Sequence, residues 1–182
     1  MTNFQPRRAT RLLGFSLVEA CVVTALVALM LTLAVPGFGA LIERKRLDGS
    51  AHQLAADLHW MRSEALARNE PLRFSLHTTA LGTCTVVHTG DRADCRCEGT
   101  GAALCDGDAT ALKTSHWPTA EGIAVSANVS SMLYDPVQGT TSPTGSVRIS
   151  DRQGRAITHV VNIMGRVRSC SPAGSVTGYR PC

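Results

Sequence analysis

The sequence predicts an α+β protein, in which one long N-terminal helix, membrane-spanning in its first half, packs on an antiparallel β-sheet domain. Three observations predict this class. Residues 15–35 form an almost wholly apolar segment of 21 residues, long enough as a helix to cross roughly 30 Å of hydrocarbon. Residues 36–70 continue with an amphipathic helical pattern, and residues 71–182 consist of short strand-like segments separated by turn residues.

A basic leader, residues 1–14, precedes the apolar segment and ends at Gly14. Its positive charge comes from Arg7, Arg8 and Arg11. Such a leader is expected to stay cytoplasmic, which sends the rest of the chain across the membrane. An ordinary secretory signal has its small-residue cleavage site after the apolar core. Here the small residue comes first, so cleavage after Gly14 would remove the leader and leave Phe15 as the N-terminus of a retained helix.

Glu19 is the only charged side chain in the apolar segment. A carboxylate within hydrocarbon costs about 2.5–3.5 kcal/mol on insertion scales, so such a residue is usually kept for a partner. The alternative is a glutamate that reaches the interface at the end of an ordinary membrane anchor.

Residues 14–19, GFSLVE, resemble the class III signal of type IV pilins and pseudopilins. The resemblance implies cleavage after Gly14 by a prepilin peptidase, N-methylation of Phe15, and assembly into a filament with other pilin subunits by the pilus assembly machinery. It also implies that Glu19 pairs with the N-terminal amine of a neighbouring subunit. The implied location is the inner membrane, crossed once, with the C-terminal domain in the periplasm, and the pilus or cell surface after assembly.

The second half of the helix starts with Pro36, Gly37 and Gly39, which are expected to bend or loosen it. Beyond them, apolar residues recur at spacings of three and four and predict one buried stripe. The stripe consists of Leu47, Ala51, Leu54, Leu58, Met61 and Ala65. Glu70-Pro71 is expected to end the helix.

The remaining chain is predicted to be rich in strands. Strands are expected at residues 72–76, 83–88, 123–129, 146–150 and 157–163. The turn Asp151-Arg152-Gln153-Gly154 joins the last two into a hairpin, with glycine where a turn needs positive φ. Residues 89–115 and 137–145 are predicted to be loops.

Six of the seven cysteines follow the membrane segment, where an oxidising compartment would allow disulfides. We expect Cys170 to pair with Cys182, because both lie in the last segment and the bridge would tie down the end of the chain. Closing such a loop is worth on the order of 3 kcal/mol. The seventh, Cys21, is interpreted as a small apolar residue of the membrane helix.

The other four cysteines predict a bridged insertion in a loop at about residues 84–115, with their pairing left open. They are Cys84, Cys95, Cys97 and Cys105. A competing interpretation is a zinc site built from three of them, Cys95, Cys97 and Cys105, with His88 or His116. Disulfides are favoured because the spacing lacks a paired C-x-x-C pattern and the expected compartment is oxidising, so no metal is predicted.

Positive charge is concentrated at the C-terminal end of the sequence. The formal net charge of +4 includes the leader, without which the chain has 15 basic and 14 acidic residues. Residues 145–182 contain six arginines and one acid, Asp151, whereas residues 15–144 have a net charge of −4. The basic surface therefore belongs to the C-terminal quarter.

Gly165-Arg166-Val167-Arg168 lies at the centre of this basic region. In an extended segment Arg166 and Arg168 project to the same side, about 6.5–7 Å apart, which is close to the phosphate spacing along a nucleic acid strand. Gly165 would permit close backbone approach. The alternative is a solvated edge strand whose arginines keep the sheet soluble.

This segment and the helix end, residues 55–69, resemble the FimT/GspH family of minor pilins and pseudopilins. The resemblance implies the pilin fold and DNA contact through a GRxR element during natural transformation. Its main contacts would be Gly165, Arg166 and Arg168. Arg148, Arg155 and Arg180 are candidates for a wider patch.

The sequence therefore predicts a minor type IV pilin of the FimT kind, a filament subunit that binds DNA for uptake. The alternatives are a GspH-like minor pseudopilin of a type II secretion system and a pilus-tip adhesin that uses the cysteine insertion. No enzyme and no cofactor are predicted, because the six histidines are scattered and no Walker loop, G-x-S-x-G or H-E-x-x-H occurs.

Overall fold

The computed structural model describes residues 14–182, so the predicted leader and its arginines lie outside the described residues. The chain divides into two units, Met1–Ile42 and Glu43–Cys182. One helix, α1, spans Leu17–Arg68 and belongs to both. It runs without interruption through residues 36–39, so the helical hydrogen bonding does not end there. The bend expected at these residues stays a prediction.

In the first unit, α1 begins with a side-chain cap. The Oγ of Ser16 accepts the backbone N–H of Glu19 at 3.2 Å, which satisfies one of the free donors at the start of a helix. Residues Leu17–Ala34 are long and apolar enough to cross a membrane. Their large apolar side chains are exposed, as Leu26 and Met30 illustrate.

In the second unit, the predicted apolar stripe of α1 is confirmed. All six of its residues, from Leu47 to Ala65, are fully buried. They pack with strand residues into one core that includes Phe74, Tyr134 and Ile149. The helix ends at Arg68, and Asn69 takes a left-handed conformation with φ of +51° immediately before Glu70-Pro71.

Strands make up most of the remaining structure. Within the described residues they are β1 Leu72–Thr79, β2 Gly82–His88, β3 Cys95–Cys97, β4 Ala103–Cys105, β5 Ala111–Pro118, β6 Ile123–Ala127, β7 Ser131–Tyr134, β8 Thr141–Ser142, β9 Gly145–Asp151, β10 Ala156–Val161 and β11 Val167–Cys170. Two short 3₁₀ turns, Thr119–Glu121 and Pro172–Gly174, complete the described elements.

These strands form two sheets and one small hairpin. The first sheet has the order β5-β2-β1-β7-β8, the second has the order β11-β10-β9-β6, and β3 pairs with β4 alone. Every strand pair is antiparallel. Buried residues of both sheets meet the stripe of α1 in the core. The predicted α+β class, a long helix followed by an antiparallel sheet domain, is therefore confirmed.

Strands β3, β4 and β5 correct the prediction that residues 89–115 form a loop, and β8 lies within the loop predicted at residues 137–145. The buried side chains of β5 include a polar one, Ser115, which meets Asp57, a carboxylate buried on α1. The Oγ of Ser115 donates to Asp57 Oδ2 at 2.8 Å, and Lys113 Nζ lies 2.6 Å from Asp57 Oδ1. A strand that pairs with a buried charge lacks the apolar alternation by which strands are recognised.

Strand β10 and the segment that follows it also differ from the prediction. The strand ends at Val161 instead of Ile163, and β11 begins only at Val167. Gly165 and Arg166 therefore lie in the turn between the two strands and not in an extended strand. The predicted hairpin of β9 and β10 is present, with Gly154 at φ of +79°.

Candidate functional site

The exposed face of the four-stranded sheet holds two of the predicted arginines. Residues directly opposite in an antiparallel pair project to the same side, and so do residues two apart on one strand. Arg148 on β9 lies opposite Thr158 on β10, and Arg168 on β11 lies opposite Val160. Arg148 and Arg168 therefore share the solvent-facing side, with Cα atoms about 12 Å apart as estimated from strand spacing and rise.

A tight turn places Arg166 beside this face. The N–H of Gly165 donates to the carbonyl of Asn162 at 2.8 Å, and the N–H of Arg166 donates to Asn162 Oδ1 at 2.9 Å. Val167 is half-buried against the core, whereas Arg166 and Arg168 on either side of it are exposed. Both arginines are therefore exposed, but Arg166 precedes the strand, so their projection to the same side stays a prediction.

The packing around position 165 requires a glycine. Gly165 is buried, with φ of +66°, and a Cβ added there would lie 2.7 Å from the carbonyl oxygen of Gly139 and 3.1 Å from Cδ of Arg62. Arg62 reaches from α1 and donates from Nε to Gly139 O at 3.2 Å. The N–H of Thr141 donates to Ile163 O at 2.9 Å. The arginine-bearing turn is therefore fixed to the β7–β8 connection and to the helix.

The C-terminal loop brings Arg180 next to Arg168. Cys170 is joined to Cys182, the pair favoured from the sequence. The loop is also held by the N–H of Ser171, which donates to Arg180 O at 2.8 Å. Arg168 and Arg180 line one cleft of about 380 Å³, together with Val160, Ser169, Cys170, Pro181 and Cys182.

Tyr179 fastens the same loop to α1. Its hydroxyl donates to Asp48 Oδ1 at 2.8 Å. Burial, followed by this contact with the Asp48 carboxylate, raises the pKa of Tyr179 to about 12. The Tyr179 hydroxyl therefore keeps the proton that it donates to Asp48 at neutral pH, and this contact anchors the residue next to Arg180. Sequence reasoning missed this contact, because 131 residues separate the two partners.

The charges on this surface are free for a ligand. Within residues 14–182, none of the four exposed arginines forms an ion pair. They are Arg148, Arg166, Arg168 and Arg180. On the strands that display them, the described outward-facing residues include no acid. The arrangement suits a polyanion that spans several cationic groups, because it concentrates positive charge without internal neutralisation.

Arg155 corrects the predicted patch. Its Nε lies 2.6 Å from Asp151 Oδ2, and both side chains are largely buried. Asp151 also accepts the backbone N–H groups of Gln153 and Arg155, each at 3.0 Å. Arg155 therefore stabilises the β9–β10 turn and its charge is neutralised there, so we remove it from the candidate ligand contacts.

The four cysteines of the insertion are joined in two disulfides, Cys84 with Cys97 and Cys95 with Cys105. The alternative zinc site is therefore wrong, because its three cysteines are already bonded. His88, one of its proposed histidines, instead contacts Ser75 Oγ through Nε2 at 2.9 Å. Within residues 14–182, no group of three or more potential ligands could hold a metal ion.

The residues predicted for processing and assembly lie at the start of α1. Gly14 and Phe15 precede the helix, and both are exposed. Glu19 is in its first turn, with an exposed side chain. Cys21 is a free cysteine on the same apolar segment. These positions are compatible with the predicted processing and pairing, which stay predictions.

Comparison with protein families gives a match over most of the second unit. A family model described as type II transport protein GspH matches residues 50–165. This range includes the last part of α1, residues 50–68, and ends at Gly165, so the arginines that follow lie outside the match. A comparison with curated proteins gave no match.

Among solved structures, the chain is similar to the type IV minor pilin FimU of Pseudomonas aeruginosa strain PAO1. The crystal form in space group P21 gives a TM-score of 0.52 at 17% identity, over 71% of this chain and 95% of that one. The form in space group P65 gives 0.49 at 14% identity, over 69% and 96%. At these identities the likeness shows the fold alone. The first of the two matches shows that the α+β arrangement is that of a minor pilin.

Proposed function

Because the chain belongs to the family described as type II transport protein GspH and has the fold of a minor pilin, we propose that it is a minor type IV pilin that binds DNA. In this proposal the apolar helix anchors the subunit in the inner membrane and joins it to other pilins. The domain at Glu43–Cys182 lies in the periplasm and, after assembly, on the pilus, where its arginine face meets DNA during natural transformation.

Assembly would begin with processing of the leader. A prepilin peptidase would cleave after Gly14, and the new N-terminus at Phe15 would be methylated. Glu19 would then pair with the N-terminal amine of a neighbouring subunit, which compensates the cost of a carboxylate in hydrocarbon. The free, exposed side chain of Glu19 in the first turn of α1 supports this role.

One observation supports DNA binding most strongly: Arg168 and Arg180 line the same cleft. Arg148 shares the sheet face with Arg168, and Arg166 lies in the adjoining turn. An arginine fork binds a phosphate with two parallel hydrogen bonds. Four such groups on one surface fit successive phosphates of a strand better than they fit a single small anion.

Binding of this kind would depend on salt and hardly on sequence. Neutralising phosphates releases counterions, so affinity falls as salt rises, and backbone contacts carry no base information. We expect dissociation constants on the order of 1–100 μM at physiological salt, as for other non-specific binding.

Titration of the full chain in a neutral detergent with fluorescent DNA at two salt concentrations tests the proposal. Arg166→Ala combined with Arg168→Ala should weaken binding at least about tenfold at low salt and reduce its salt dependence. Arg92→Ala is the matched control, because Arg92 is an exposed arginine of the cysteine insertion and should leave both quantities unchanged. Equal binding by the double variant and the wild type would contradict the proposal.

A second candidate is a minor pseudopilin of a type II secretion system, which the description of the matching family favours. In that role the arginine face would contact other protein subunits. Deletion of the gene in its host separates the two functions: loss of DNA uptake with intact protein secretion supports the pilus, and the reverse supports the secretion system.

A further inference from the structure

Two large apolar side chains are exposed at the tip of the turn that holds Arg166. Ile163 is 63% exposed and Met164 is 52% exposed. Single exposed apolar residues are common on protein surfaces and need no explanation. Two in succession at a tip, separated only by Gly165 from Arg166, are a local concentration of apolar surface beside an arginine that forms no ion pair within residues 14–182.

The backbone under this tip is fixed. Asn162 accepts from Gly165 and Arg166, and the carbonyl of Ile163 accepts from Thr141 at 2.9 Å. Gly165 is locked against Gly139, where no Cβ fits. The turn therefore holds the two side chains exposed to water. A ligand that covers them does not need to order the backbone of the turn, so that entropic cost of binding is absent.

The loop that accepts the turn carries a further exposed apolar residue. Val137, in the connection that accepts the turn, is 80% exposed. The carboxylate of Asp135 binds the backbone N–H of Val137 at 2.8 Å and so fixes the loop. Exposed apolar side chains next to an arginine suit a ligand that combines flat apolar groups with neighbouring anionic groups.

We propose that Ile163 and Met164 contact the bases of a DNA strand whose phosphates are held by Arg166 and Arg168, so that the site takes DNA with accessible bases. This inference rests on the proposed function and adds the class of DNA to it. Met164 lies two residues from Arg166, at most about 7 Å along the chain, so one nucleotide can meet both. Base contacts with protein side chains are tolerant of sequence, because every base has a flat face.

The accessibility of the bases in the DNA decides whether a single strand or a duplex binds more tightly. In a closed duplex the base faces are stacked, and inserting an apolar side chain between them costs a few kcal/mol per step. In a single strand or a frayed end the faces are already accessible. We therefore expect single-stranded DNA to bind more tightly than a duplex with the same number of phosphates available.

An abasic strand isolates the base contacts, because it keeps every phosphate and lacks every base. The full chain in detergent is titrated with a single strand of about 20 nucleotides and with an abasic strand of equal length, which cover one site or more. The wild type should bind the normal strand about tenfold more tightly, a difference of about 1.4 kcal/mol, because bases that cover Ile163 and Met164 remove apolar surface from water. Ile163→Ser with Met164→Ser should remove this difference and leave the affinity for the abasic strand unchanged.

Two further variants distinguish loss of the base contact from general effects of mutation or misfolding. Leu81→Ser is the matched control, since Leu81 is exposed at the β1–β2 turn and should retain the tenfold difference. Ile163→Trp should increase it, because a larger aromatic surface stacks better on bases, and a misfolded variant could not show such a gain.

The possible failures are distinguishable. Equal affinity of the wild type for the normal and abasic strands would overturn the base contact and leave phosphate binding by the arginines intact. An unchanged difference in the Ile163→Ser, Met164→Ser variant would also overturn it, because the bases would then be contacted elsewhere on the protein. Absence of binding to either strand would overturn the proposed DNA function together with this inference.

Discussion

Gly165 lies against Gly139 so closely that a Cβ on Gly165 would sit 2.7 Å from the Gly139 carbonyl oxygen. The same carbonyl accepts the guanidinium of Arg62 at 3.2 Å. These contacts join the turn before Arg166, the β7–β8 connection and helix α1. The glycine of the GRxR segment thus serves first to dock the turn, and the position of the arginines follows from this docking.

Gly165→Ala should destabilise the domain by about 3 kcal/mol. The left-handed φ of +66° alone costs a non-glycine residue about 1 kcal/mol, and the contact with backbone at Gly139 adds to it. Gly154→Ala is the control, because Gly154 has φ of +79° and open space around its Cβ position. Chemical denaturation should show a loss of only about 1 kcal/mol there. Equal losses of unfolding free energy in the two variants would mean that the close approach to Gly139 does not contribute to the destabilisation.

Lys113→Ala should cost more stability than Asp57→Asn. Asp57 is buried, whereas Lys113 is 42% exposed. Loss of the lysine leaves a buried carboxylate without its cation, a change of about 3 kcal/mol. Asparagine keeps a hydrogen-bonding partner for Ser115, and the released lysine can turn into water, so we expect about 1 kcal/mol.

The double variant Asp57→Asn, Lys113→Ala should therefore be more stable than Lys113→Ala alone. Urea denaturation of the four proteins completes the cycle. A larger loss for Asp57→Asn than for Lys113→Ala would show that the buried carboxylate is not the group that needs compensation.

His159 should make the protein less stable as the pH falls from 6.5 to 4. Burial lowers its pKa to about 4, so between these values the unfolded chain binds a proton that the folded chain does not. The contribution of His159 to the free energy of unfolding is fully present above pH 6.5. It is lost as the pH falls to 4, by on the order of 3 kcal/mol at most. Burial also lowers the pKa values of His77 and His88, which act in the same direction.

The direct check is NMR titration of the His159 ring in the folded protein. His159→Gln should also flatten the fall in stability between pH 6.5 and 4, whatever its effect at neutral pH. A His159 pKa near 6.5 would refute the expectation.

Removal of the Cys170–Cys182 bridge should lower both stability and DNA affinity. Opening a loop with a separation of 12 residues costs about 3 kcal/mol, and it removes one of the contacts that hold Arg180 in the cleft that it shares with Arg168. We expect Cys170→Ser with Cys182→Ser to weaken DNA binding less than Arg180→Ala does, because the arginine remains and Tyr179 still binds Asp48.

Cys84→Ser with Cys97→Ser is the matched control, since the separation is 13 residues and the bridge lies in the insertion. It should lose similar stability and retain DNA affinity. Loss of affinity in both serine pairs would attribute the effect to general destabilisation.

The elements that local patterns determine could be predicted from the sequence. The stripe from Leu47 to Ala65 is recognisable by its spacing, and the hairpin around Gly154 by its turn residues. β5 could not be recognised, since its polar residues Lys113 and Ser115 pair with Asp57, a buried carboxylate on α1 that is more than 50 residues away. Asp57 becomes the partner of this strand only in the folded protein, so no short stretch of the sequence reveals the contact.

The candidate site was predictable in its composition and not in its arrangement. Six arginines in the last 38 residues mark a basic surface, but charge alone does not reveal that Arg155 is neutralised by Asp151. The cleft shared by Arg168 and Arg180 depends on a disulfide and on the contact of Tyr179 with Asp48. The role of Gly165 in docking depends on Gly139 and Arg62, which are distant in sequence.

The salt dependence of DNA binding by the full chain tests the central claim most directly. Four free arginines that each meet a phosphate predict a slope of log affinity against log salt of about −3.6 for duplex DNA and about −2.8 for a single strand. A slope in this range, reduced in magnitude by about 1.8 for duplex and about 1.4 for single-stranded DNA in the Arg166→Ala, Arg168→Ala variant, is the result that the account predicts. Absence of binding at low salt, or a slope that the double variant does not change, would contradict it.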